Sequence, residues 1–193
     1  MSPRPGLDRR AIVGEAARLA NERGLANVTF ANLAQRLGVR APSLYNHVES
    51  VDVLHYELTV AGLSALAEAL ARAAIGRNGA GGIAAIGEAY RSFAKEHPGL
   101  YAATLRSVDP SDARLQSIAS GMLETMRAVL APFGLDERTM TDAVRALRSL
   151  VHGFASLEAA GGFGMPRSVD ESFAWALDAY VASLSATTPV NAG

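Results

Sequence analysis

The chain contains no cysteine among its 193 residues, which excludes disulfides, zinc–thiolate sites and thiol catalysis and leaves the redox compartment open. Long apolar runs are absent as well. The stretch from Met1 to Gly6 lacks the apolar core of an export signal, and Glu68, Arg72 and Arg77 break the alanine-rich middle before it can span a bilayer. A soluble, cytoplasmic protein with no membrane partner is expected. Apolar residues recur at helical spacing and no alternating strand pattern competes, so the fold class is all-α. The four histidines, His47, His55, His97 and His152, fall in no metal-ligand spacing, and there is no His-x-x-x-His helix or nucleophile elbow. No catalytic residue, metal site or cofactor is therefore assigned.

Charge is balanced overall, at −1, but not along the chain. Residues 1–48 hold seven arginines (Arg4, Arg9, Arg10, Arg18, Arg23, Arg36, Arg40) against three acids (Asp8, Glu15, Glu22). The remainder holds eleven basic and sixteen acidic residues. A basic N-terminal portion is drawn to phosphates, while an acidic remainder is held off them. Arg4, Arg9 and Arg10 have two readings, a flexible arm on nucleic acid or solvated tail residues.

The stretch from Thr29 to Val48 carries the clearest local pattern. Thr29 can cap a helix on which Phe30, Leu33, Ala34 and Leu37 share one face. Gly38 stands where a helix ends in the left-handed conformation that glycine adopts at little cost. Val39 fills the angle, Pro42 suits a first helical turn, and Leu44 and Val48 turn inward. The second helix then presents Arg40, Ala41, Ser43, Tyr45, Asn46 and His47 outward. This is a helix-turn-helix pattern, whose second helix enters the DNA major groove while the first crosses the backbone. Ser43, Tyr45 and His47 suit phosphate oxygens; Arg40 and Asn46 reach either phosphates or base edges. An ordinary helical hairpin with a solvated face is the alternative.

The same residues resemble the DNA-binding region of the TetR family of bacterial transcriptional regulators, over roughly residues 8–58. Gly24, Thr29, Leu33-Ala34, Gly38-Val39, Leu44-Tyr45-Asn46-His47 and Ser50-Val51-Asp52 carry the likeness. Val48 replaces the usual aromatic, and Val51 replaces a lysine that contacts phosphate in the family. Its loss implies binding weakened on all sequences alike and a salt dependence lower by about one unit of slope. The resemblance implies a double-stranded DNA operator, with Thr29, Arg40, Ala41, Pro42, Ser43, Tyr45, Asn46 and His47 as the DNA-facing set. The run Leu150-Val151-His152-Gly153-Phe154, followed by Gly161-Gly162-Phe163, resembles the Trp-His-Gly motif of one C-terminal class in the family, with Val151 in place of Trp.

The expected organisation is a helix-turn-helix DNA-binding domain over residues 1–50, joined by a long helix to a helical ligand-binding and dimerisation domain over 51–193. Asp8 caps the first helix, which Gly24 ends; Ser50 caps the long connector, whose stripe is Val51, Leu54, Leu58, Ala61, Ala65 or Leu66, and Leu70. Gly76-Arg77-Asn78-Gly79-Ala80-Gly81-Gly82 reads as a loop near the boundary. Further helices follow around Ile83 to Phe93, after Pro98, from Leu115 to Phe133, near 136–160 and near 170–186, and the tail from Thr187 to Gly193 is expected to be disordered.

A largely apolar small-molecule effector is expected among Leu66, Tyr90, Phe93, Tyr101, Leu105, Met122, Met126, His152 and Trp175, most of which are plain core. His152 has two readings, a cavity-facing polar group or a hydrogen-bonded core histidine. The broad apolar coverage of the last two helices points to a homodimer through Leu147, Leu150, Phe154, Leu157, Phe173, Leu177, Tyr180, Val181 and Leu184. Two such readers spaced about 34 Å apart match a palindrome. The function expected is a ligand-responsive repressor. A small helical enzyme using a histidine with a carboxylate, and a protein-binding helical adaptor, are the alternatives.

Overall fold

The computed structural model describes residues 7–106, 109 and 111–187. Arg4 and residues 188–193, read above as an arm and a tail, lie outside that set. Among the described residues the regular structure is helical, without strands: α1 Arg9–Arg23, α2 Phe30–Leu37, α3 Ala41–Tyr45, α4 Val51–Ala74, α5 Gly79–Glu96, α6 Pro98–Thr104, α7 Ala113–Leu130, α8 Glu137–Ala159 and α9 Val169–Thr187.

The boundaries follow local chemistry. The Asp8 carboxylate accepts from Ala11 N–H at 2.7 Å and opens α1. The Thr29 hydroxyl accepts from Asn32 N–H at 3.2 Å, and Ser50 from Val53 N–H at 3.1 Å. Asp136 does the same for α8 through Thr139 N–H at 2.7 Å. Each satisfies an amide that a helix start leaves without a partner. Gly38, at φ 67°, ends α2, and Val39 N–H reaches back to Ala34 O at 3.0 Å, the six-to-one bond of a left-handed helix stop.

The chain forms two compact units, one of residues 1–65 with 96–115 and the other of 66–95 with 116–193. The two units meet in sequence inside α4, between residues 65 and 66, and α6 belongs to the first unit. That unit closes around Ile12, Leu19, Val28, Phe30, Leu33, Leu44, Val48, Leu54, Leu58 and Ala103, all at most 5% exposed. At about 1.5–3 kcal/mol for each fully buried large aliphatic or aromatic side chain, this floor is what holds the short α3 in place. A Cβ on Gly99 would lie 2.1 Å from the Ala20 carbonyl carbon, so α6 crosses α1 backbone to backbone. The Asn21 side-chain oxygen accepts from both Gly99 N–H and Leu100 N–H at 3.0 Å, capping α6 from α1.

In the second unit Leu66, Leu70, Ile83, Ile86, Val129, Leu130, Leu147 and Val151 are buried. Arg91 is buried too, at 2% exposure. Its guanidinium donates to Glu158 at 2.7 and 2.8 Å and to Asp170 at 2.6 Å, and lies 5.0 Å above the Phe173 ring. One buried cation thus ties α5 to the end of α8 and the start of α9. The glycine-rich run read as a loop is mostly helix: α5 begins at Gly79. A Cβ on Gly82 would sit 2.8 Å from a Val129 methyl, so this glycine serves close helix packing, not chain reversal.

Candidate nucleic-acid interface

The outward face of α3 is built on an apolar underside. Leu44 is 0% and Val48 1% exposed, and both point into the first unit's core. Helical spacing then directs Tyr45 and Asn46 outward, with Arg40 and Pro42 exposed at the helix start and Ala41, Ser43 and His47 half-buried. Tyr45 is 57% exposed, yet its ring meets Phe30 edge-on at 4.7 Å and 83°. That contact fixes the ring and leaves the phenol oxygen to solvent, an arrangement that suits a phosphate. Thr29 accepts with its hydroxyl oxygen at the α2 cap, so its O–H remains able to donate. The eight residues expected to face DNA are gathered on α3 and the N-terminus of α2.

The arginine surplus is redistributed by pairing. Arg36 donates from Nε to Glu15 at 2.6 Å and grips Glu22 with both terminal nitrogens, and Arg18 pairs with Glu15. Hydrogen bonds to Glu22, then Glu15, push the Arg36 pKa further up, and Arg36 holds Glu22 below the usual carboxylate range. Arg36 is therefore a strut between α1 and α2 rather than a hand on phosphate. Arg9 is paired with Glu57 at 3.0 Å. Arg40 stands at the N-cap of α3 beside Tyr45 and Asn46, exposed.

The four histidines occupy separate settings. His47 follows the C-cap residue of α3, Asn46. His55 Nε2 lies 3.1 Å from Val28 O, and a carbonyl only accepts, so Nε2 carries the hydrogen and Nδ1 faces Arg106 at 3.4 Å. That ring locks α4 onto the segment before α2. His97 precedes α6, and His152 on α8 lies 3.4 Å from the Ser156 hydroxyl. Among the described residues no cluster of three or more His, Cys, Asp or Glu could hold a metal, and no helix is long and apolar enough to cross a membrane.

The residues expected to line an effector cavity separate. Leu66, Tyr90, Phe93 and Met126 are buried in the second unit, with Met122 and His152 half-buried there. The space beside Leu70, Ile86, Tyr90, Met126, Leu147 and Val151 amounts to about 10 Å³, room for one water at most. Tyr101 is buried in the first unit, on α6. Leu105 and Trp175 need correcting: they are 50% and 67% exposed rather than buried. Trp175 lies two residues from each of the inward-facing Phe173 and Leu177, half a turn around α9, which turns it outward.

Of the residues expected at a dimer face, Leu147, Phe173, Leu177, Tyr180 and Leu184 are buried within the single chain. Tyr180 donates to Ala143 O at 2.8 Å, and burial pushes its phenol up to about 12. Phe154, half-buried, packs on Phe163 and Phe173 at 5.3 and 5.2 Å. Leu150 and Val181 are half-buried and Leu157 is 50% exposed. The Arg91 cluster and the Asn21 cap were not foreseen. Both join residues far apart in sequence, and no local pattern announces such pairs.

A short helix with a polar outer face, seated on an apolar floor behind a capped companion helix, defines a helix-turn-helix DNA-binding protein. Residues 12–50 match the family model described as bacterial regulatory proteins, tetR family, and residues 83–180 match the tetracyclin repressor-like C-terminal domain. An uncharacterised helix-turn-helix-type transcriptional regulator of Bacillus subtilis (strain 168), YobS, is 35% identical, over 95% of this chain and 96% of that protein. A structure of a protein of unknown function from Rhodococcus sp. RHA1 superposes with a TM-score of 0.80 at 23% identity, covering 96% of this chain and all of that one. A TetR variant from Acinetobacter baumannii AYE in complex with minocycline superposes with a TM-score of 0.66 at 23% identity, over 95% and 99% of the two chains. The chain belongs to the TetR family of transcriptional regulators.

Proposed function

We propose that the protein is a repressor that binds a palindromic operator as a homodimer and is released by a small-molecule effector. The observation that carries this reading is the exposed α3 face, with Arg40, Tyr45 and Asn46 accessible over fully buried Leu44. α3 is the reader, Thr29, Ser43, Tyr45 and His47 hold phosphates, and Arg40 and Asn46 sample base edges. The outward apolar residues of α8 and α9, Leu150, Leu157, Val181 and Trp175, meet a second copy. The effector binds among the second-unit helices around Tyr90 and Met126, and its body is largely apolar to match that lining. The minocycline complex of the Acinetobacter relative supports the effector step. The protein acts in the cytoplasm, where the operator is.

A gel shift of the purified protein on the DNA flanking its own gene, at fixed salt, tests the proposal. A saturable, sequence-preferring complex is expected, and its absence removes the reading. Tyr45→Ala should weaken binding to all sequences alike, whereas Arg40→Ala or Asn46→Ala should cost about 1–3 kcal/mol on the operator and relax preference at one position. Equal, uniform losses for all three contradict the assigned roles.

A further inference from the structure

The first unit contains a cleft of about 510 Å³ between α1 and α4, with Arg114 of α7 in its wall. Its volume is that of a small-molecule site, and the DNA-facing reading makes no use of it. Three guanidiniums line it, those of Arg9, Arg10 and Arg114, against one carboxylate, Glu57. Glu57 is shared: it accepts from Arg9 at 3.0 Å and from Arg114 at 3.0 and 3.2 Å. Arg10 has no ion-pair partner among the described residues. The nearby Asp8 and Asp112 cap α1 and α7 and do not line the cleft. Its walls thus carry two positive charges in excess, and the Arg9 and Arg114 side chains are half exposed, at 53% and 55%.

A second observation comes from Gly14. Glycine in the middle of a helix weakens it relative to alanine, and such a residue is ordinarily kept because a neighbour leaves no room. Gly62 and Gly99 have that reason, since a Cβ would strike the backbone of Leu100 or Ala20. Gly14 does not: a Cβ there meets nothing within 4 Å. Gly14 lines the cleft, so what its missing side chain preserves is depth. Val60 and Ala61 complete an apolar wall there.

We propose that this cleft binds a small organic anion, a carboxylate on a compact apolar body. Arg10 and Arg114 take the charge through paired N–H donors, and the Gly14 and Val60 side takes the body. Inorganic phosphate has the charge without the body and suits the apolar wall poorly. The site is separate from α3 and from the second unit, and it stands whether or not the repressor reading does.

Calorimetric titration of the full chain with 1-naphthoate, 1-naphthamide and inorganic phosphate tests it. One naphthoate per chain is expected, with the amide and phosphate each at least about tenfold weaker, the worth of one charge-assisted hydrogen bond. Arg10→Gln, which breaks no ion pair, and Arg114→Gln should each weaken naphthoate about tenfold. Gly14→Leu should abolish binding with an unchanged or raised melting temperature. The proposal is overturned if naphthoate does not bind, if phosphate binds as well as naphthoate, or if binding survives Gly14→Leu and Arg10→Gln undiminished. Naphthoate binding in a protein that fails the gel shift would sink the repressor reading alone.

Discussion

Arg91 shows how one residue sets a pH response. Its bonds to Glu158 hold that carboxyl below the usual range, so the unfolded chain binds the proton more readily than the folded one. Stability from the pair is complete above the ordinary glutamate value of about 4.3 and is lost as pH falls through it toward the lower folded value. Arg91→Met should cost about 2 kcal/mol at pH 7, less than a fully buried broken pair because Asp170 is 80% exposed and rehydrates. Melting curves of the two proteins should lie furthest apart at pH 7 and converge toward pH 3; an unchanged gap refutes the assignment. Gly99→Ala, with its Cβ driven into Ala20, should cost about 3 kcal/mol or more in urea unfolding. At this scale the sequence was readable where a residue acts on its neighbours, as with Thr29, Gly38 and Leu44. It was opaque for Arg91 and Arg36, whose partners lie elsewhere in the chain and whose exposed look is that of any arginine.

Elements were legible to the degree that their ends are made locally. α1, α2, α4 and α8 start at side-chain caps visible in the sequence. α6 is different: Pro98 marks its start, but its free amides are satisfied by Asn21, 78 residues away from Gly99. Asn21→Ala should therefore destabilise by about 1–2 kcal/mol and speed hydrogen exchange at Gly99 and Leu100 while leaving α1 intact. Unchanged exchange there would contradict the capping role. Gly82 near the start of α5 was misread because a loop and a close helix crossing call for the same residue. Only the position of Val129 separates the two.

For the whole molecule, the proposed homodimer makes a direct prediction. Light scattering should give the mass of two chains, and Leu157→Glu with Trp175→Glu should give one chain, unchanged helicity by circular dichroism, and loss of operator binding. A double variant that stays dimeric would move the interface elsewhere. The all-helical class and the helix-turn-helix were plain from periodicity. The partition into units was not, because contact between α6 and α1 is a tertiary fact: Ala103 is 0% exposed inside the first unit's core, and the Thr59 hydroxyl donates to its carbonyl at 3.1 Å. This has a consequence for anyone building hybrid regulators. Splicing residues 1–50 onto a foreign sensor would strip away the plug supplied from residue 103 together with Leu54 and Leu58, which close the same core. A portable reader must carry the later segment with it, and so must any minimal fragment made for spectroscopy.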